Sequence, residues 1–126
     1  MRLIRLLVFV ALWIWLPAQA ESLCKASDNL SCEGEYVELG VLANGITVTN
    51  YTYIFGEAQR AALRVIFESK GEYLGMYATS SPGTTIEGNC VIFAGENPDE
   101  GDRLCLEAGS LPQQVWIGGE VYHLFY

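Results

Sequence analysis

Period-two alternation, broken every five to nine residues by turn-forming pairs, constrains this chain more than any other feature of its sequence. In residues 36–43, Val37, Leu39 and Val41 fall on one face of an extended chain, and Tyr36, Glu38 and Leu42 on the other. Alternating side chains of this kind suit a strand with two unlike faces and do not fit a helix period. Asn44-Gly45 follows, the strongest short hairpin signal, because both central positions of a type I′ turn need positive φ. Residues 46–55 then return antiparallel. A two-residue turn here predicts Val41 opposite Val48, Glu38 opposite Tyr51 and Tyr36 opposite Tyr53, with tyrosines collected on one face.

The same grammar continues to the end of the chain. Leu63 to Glu68 alternates, Ser69-Lys70-Gly71 turns, and residues 72–80 return with Tyr73 and Tyr77 expected opposite Leu74, Met76 and Ala78. Ser81-Pro82-Gly83 breaks the chain before a short strand at Thr84 to Ile86. Cys90 to Ala94 is expected to pair with Arg103 to Glu107, placing Val91, Phe93, Leu104 and Leu106 on one apolar face. Gly118-Gly119 joins a last hairpin with Trp116 opposite Val121 and Gln114 opposite His123. A short helical turn is expected near 56–62, where Glu57, Ala58, Gln59, Ala61 and Ala62 are all helix-compatible. About eight strands in sequential hairpins predict an all-β fold, a small antiparallel barrel or a two-sheet sandwich.

The first twenty residues have a different character. Arg2 and Arg5 precede an apolar run from Leu6 to Leu16, followed by Pro17 and Ala18-Gln19-Ala20, the layout of a cleaved secretory signal. The run is too short to span a bilayer, so export without membrane insertion is expected, to the periplasm in a Gram-negative source and otherwise by secretion. Residues 21–126 are then one domain. Cleavage removes Arg2 and Arg5 and takes the net charge from −8 to −10. Such a field repels nucleic acid and draws in basic proteins.

Four cysteines, Cys24, Cys32, Cys90 and Cys105, all follow the signal. An even count in an exported chain reads as disulfides. Local pairing, Cys24 with Cys32 and Cys90 with Cys105, is preferred, the second because it matches the strand register. The spacing lacks the paired close cysteines of a zinc site.

Between Cys90 and Cys105 lies an acidic loop with Glu96, Asp99, Glu100 and Asp102. It does not follow the ligand order of an EF-hand calcium loop, and Pro98 and Gly101 are ordinary turn residues. A solvated hairpin tip, an irregular calcium cage and an acidic finger for a basic partner are the three readings; no metal is assigned. Catalysis is poorly supplied. His123 is the sole histidine, no nucleophile elbow is present, and Glu38 among Tyr36, Tyr51 and Tyr53 is the one carboxylate in an unusual setting. No nucleotide or other cofactor motif occurs.

Seven tyrosines and Trp116 form a large aromatic supply, and tyrosine suits surfaces that are apolar yet wet. Tyr36, Tyr51 and Tyr53, together with the acidic loop, are therefore the expected partner-binding residues. Asn29-Leu30-Ser31 and Asn50-Tyr51-Thr52 match the glycosylation acceptor pattern. The expected function is a non-enzymatic, exported protein-binding domain of inhibitor or immunity type acting on a basic partner such as an envelope hydrolase. The alternative is a carrier holding a small apolar ligand inside a barrel.

Overall fold

A computed structural model describes residues 22–94, 102–106 and 110–126. The expected signal, residues 1–20, lies outside them. Two compact units divide the chain, one ending at Glu33 and the other spanning Gly34–Tyr126. In the first, a helix over 22–26 runs into a turn where the Leu30 N–H donates to the Ser27 carbonyl (3.3 Å) and the Asn29 N–H to Ser27 Oγ (3.1 Å). The Cys24–Cys32 disulfide closes this segment, as the local pairing predicted.

The described residues of the second unit hold nine strands: β1 (Glu35–Val41), β2 (Ile46–Phe55), β3 (Arg60–Ser69), β4 (Glu72–Tyr77), β5 (Gly83–Glu87), β6 (Cys90–Phe93), β7 (Arg103–Cys105), β8 (Gln114–Ile117) and β9 (Glu120–Phe125). They form a six-stranded sheet, β1-β2-β3-β4-β9-β8, and a three-stranded sheet, β5-β6-β7. The strands pair antiparallel throughout. The fold is all-β with two sheets, and no ladder among the described residues closes it into a barrel. Nor, among those residues, is any helix long and apolar enough to cross a membrane.

The helical turn expected near 56–62 is absent. β3 begins at Arg60, paired with Phe55, and Ala61 and Ala62 face Ile54 and Tyr53 in the ladder. A helix this short recovers little of its nucleation cost unless something else holds it, and here, unlike at 22–26, no disulfide closes the segment. Prolonging the β2–β3 hairpin satisfies the same backbone groups one pair at a time.

The β1–β2 turn also differs from expectation. The Leu42 N–H donates to the Ile46 carbonyl (2.8 Å) and the Gly45 N–H to the Leu42 carbonyl (2.9 Å), so the loop has three residues. Within it only Gly45 has positive φ, 89°, the geometry of a type I turn followed by a glycine bulge. Asn44 Oδ1 instead accepts from the Ile46 N–H (3.2 Å), a local bond that removes the need for a left-handed asparagine. Val41 therefore faces Thr47 rather than Val48.

A bulge at Leu39–Gly40 shifts the register by one more residue, putting Glu38 opposite Thr49 and Tyr36 opposite Tyr51. Two single slips restore the parity, so Tyr36 still meets a tyrosine. The bulge turns Val41, opposite Thr47, away from the face on which Leu39 packs on the core, and Val41 is exposed. A second bulge, at Leu74–Gly75, does the same in β4. Leu74 and Tyr77 join the core, and Met76 pairs with Ile66 on the opposite face. The expected grouping of Leu74 with Met76 is thus corrected, because one extra residue reverses the facing of everything beyond it.

Val48, Val65, Phe67 and Tyr77 of the large sheet pack with Val91, Phe93, Leu104 and Leu106, all 2% exposed or less. The last four are the apolar face expected of the cystine hairpin, with Cys90 opposite Cys105, Val91 opposite Leu104 and Ile92 opposite Arg103. The Tyr77 hydroxyl donates to the Pro112 carbonyl (2.6 Å), and Phe67 meets the Tyr77 ring edge-on at 5.8 Å. Between the sheets, the Asn50 amide pairs with the backbone of a single residue: Nδ2 donates to the Gly83 carbonyl (2.8 Å) and the Gly83 N–H donates to Oδ1 (3.0 Å). Asn50 lies in the β2 ladder and Gly83 opens β5. The side chain therefore joins the sheets where no strand ladder does, and its glycosylation motif is occupied by a structural role.

Candidate partner-binding surface

The Cys90–Cys105 disulfide staples β6 to β7 at the base of the acidic hairpin. Three of its expected contact residues, Glu96, Asp99 and Glu100, lie outside the described residues. Asp102 is described, and it is not displayed: it is 6% exposed. Its carbonyl accepts from the Phe93 N–H (2.9 Å), and its Oδ1 sits 3.3 Å from where a β-carbon on Gly118 would stand. Asp102 extends the β6–β7 ladder by one bond, with its carboxylate close to the Gly118 turn. Burial leaves its carboxylate little surface to offer a partner. Beside it, Arg103 and Glu87 form an ion pair (3.1 Å) that is about half exposed on each side and contributes little to stability.

Alternation along β2 sets Tyr51, Tyr53 and Phe55 on the face of the large sheet opposite the Val48–Phe67 core. Tyr36 arrives there from β1, its ring 5.0 Å from Tyr51. The three expected tyrosines are thus gathered, but unequally. Tyr51 is only 2% exposed and serves as the floor of the group, whereas Tyr36 and Tyr53 are half-buried. Burial, with a smaller contribution from Tyr51, pushes the Tyr36 hydroxyl up to about 12. It stays neutral and able to donate at any physiological pH.

Glu38 stands exposed on the same sheet, opposite Thr49. The Glu68 carboxyl is raised above the ordinary range by burial first and by the Glu38 charge second. Arg64, opposite Tyr51, lays its guanidinium 5.5 Å from the Phe125 ring centre and donates from Nη1 to its neighbour's carbonyl at Leu63 (2.8 Å). His123 is exposed, with Nδ1 3.5 Å from Gln114 Nε2. These polar groups are spread across one broad face of the large sheet.

Several large apolar side chains outside the expected contact residues stand exposed. Ile54 is 62% exposed and Phe55, stacked on Tyr53 at 5.9 Å, is 45% exposed. Trp116 is 65% exposed at the far end of the sheet, opposite Val121. The sequence carried one clue: Tyr53-Ile54-Phe55 is an apolar run that breaks the alternation just before Gly56. A strand with large apolar residues on both faces is either buried on both or exposing one of them.

All four cysteines are oxidised in pairs, which fits an oxidising extracellular compartment. Among the described residues no group of three or more histidine, cysteine, aspartate or glutamate side chains could hold a metal ion. The chain matches no protein-family model, and no curated protein or solved structure is significantly similar to it.

Proposed function

We propose that this chain is an exported, non-enzymatic domain that binds a basic protein in the manner of an envelope inhibitor or immunity protein. The observation that carries the reading is the exposure of large apolar side chains, Ile54, Phe55 and Trp116, on a chain with a formal net charge of −8. Interfaces combine such apolar anchors with a charged surround. The charge accelerates encounter with a cationic surface and the anchors hold the complex once formed. The carrier alternative needs interior room, yet the space between the sheets is taken up by Phe67, Tyr77, Phe93 and their neighbours.

The experiment is a binding titration of the oxidised protein against purified cationic secreted hydrolases, with an acidic hydrolase as control, at low and high salt. Binding confined to cationic members and weakening as salt rises supports the reading. Equal binding to the acidic control, or affinity indifferent to salt, removes it.

A further inference from the structure

The β2–β3 hairpin outruns the rest of its sheet. On one side β1 pairs no further than Thr52, and on the other β4 pairs no further than Val65. Beyond those points the β2–β3 ladder continues through three more pairs, Tyr53 with Ala62, Ile54 with Ala61 and Phe55 with Arg60. Residues 53–62 are thus a two-stranded arm with no strand on either flank among the described residues. Every residue from 54 to 61 is exposed.

Such a ribbon is marginal by itself in water, and its outer edges carry unpaired backbone groups. Exposed edges are ordinarily blunted by lysine or proline. Residues 53–62, Tyr-Ile-Phe-Gly-Glu-Ala-Gln-Arg-Ala-Ala, contain neither. The arm instead places an aromatic pair, Tyr53 on Phe55, on one face and Ile54 on the other. Its charges, Glu57 and Arg60, cancel, so the arm is neutral on a chain whose net charge is −8.

We infer that this arm is the inserting element of the interface: Ile54 and Phe55 enter an apolar cleft whose rim is cationic, while the acidic body meets that rim. The inference rests on the protein-binding reading above and names the part of the surface that carries it. Charge selects this occupant over a second copy of the chain, because two mature bodies, each of net charge −10 once Arg2 and Arg5 are removed, repel as their arms approach.

The test uses the full mature, oxidised protein and the double variant Ile54→Ser/Phe55→Ser, with Ile54→Ser alone as a second variant that keeps the Tyr53–Phe55 stack. Both are titrated against three purified cationic secreted hydrolases, a lysozyme, a trypsin-type protease and a ribonuclease, after thermal unfolding has shown that the variants fold. The expected result is binding of wild type to at least one of them and a loss of about a hundredfold in affinity for the double variant, the size of a two-residue hot spot. The salt dependence should be unchanged, because no charge is altered. Undiminished affinity of a folded variant overturns the arm's role and leaves the protein-binding reading standing. Failure of wild type to bind any cationic hydrolase overturns that reading and the arm with it. Sedimentation showing a wild-type dimer that the double variant abolishes overturns the cationic-cleft assignment in favour of self-association.

Discussion

Replacing Asn50 by alanine tests the idea that one side chain joins the two sheets by imitating a peptide group. Its amide satisfies both the N–H and the carbonyl of Gly83, at 3.0 and 2.8 Å, and Gly83 is buried. Asn50→Ala strands both groups. Each buried polar group left without a partner costs about 1–3 kcal/mol, and water entering the vacated space offsets part of that. A net loss of about 2–4 kcal/mol is expected, a fall in Tm on the order of 10–25 °C for a domain of this size.

Asn50→Asp separates the two bonds. At neutral pH the carboxylate still accepts from the Gly83 N–H, but its second oxygen confronts the Gly83 carbonyl. Protonation supplies a donor there, so the pKa of the introduced carboxyl is expected to be raised in the folded state. A raised folded pKa means that the associated stability is complete below the unfolded carboxyl pKa of about 4 and is lost as pH rises through the folded value. The assay is urea unfolding of all three proteins at neutral pH and near pH 4. An Asn50→Ala cost below about 0.5 kcal/mol, smaller than one ordinary hydrogen bond, refutes the reasoning. So does an Asn50→Asp deficit that stays the same at both pH values.

The other predictions concern the staple, the bulge and the titrating groups. Removing the Cys90–Cys105 bridge, which closes a separation of 15 residues, should cost about 3 kcal/mol by loop-closure entropy, read as a lower urea midpoint for the doubly alanine-substituted protein. Gly75→Ala should destabilise by about 1–3 kcal/mol in the same assay: the glycine has φ +145°, and an added β-carbon would stand 2.8 Å from Leu124 Cδ1. Glu68→Gln should make the protein more stable than wild type at pH 7 and equal to it in acid, below the ordinary carboxyl pKa. Its raised folded pKa means that wild-type stability is complete in acid and is lost as pH rises through that value. A constant difference across the range would contradict the assignment. Burial likewise raises the Tyr77 hydroxyl, so stability should decline as pH climbs past the ordinary tyrosine value near 10. Tyr77→Phe should flatten that alkaline limb.

The interior of the candidate site was less legible in the sequence than its members. Tyr36, Tyr51 and Tyr53 do share a face, yet Tyr36 meets Tyr51 at 5.0 Å rather than Tyr53, because two register slips intervene. Leu39-Gly40 and Leu74-Gly75 could have announced both bulges, since an isolated glycine inside an alternating strand is the usual mark of one. Asp102 reads as one more acid of a hairpin tip and is instead 6% exposed beneath Gly118. Ile54 and Phe55 read as ordinary strand residues, and only the ending of β1 and β4 short of them makes an arm.

What the residues by themselves determined is what neighbours in sequence can enforce. Strand periodicity, the Lys70-Gly71 and Gly118-Gly119 turns, the Cys90–Cys105 register and the apolar face of that hairpin are all set within stretches no longer than the 15-residue separation of that cystine. Tertiary structure decided which face of each strand is inside, which of the three tyrosines is buried, and that Asn50 grips Gly83, 33 residues away. The physical reason is parity. Strand facing alternates with every residue, so a single bulged residue reverses all that follows.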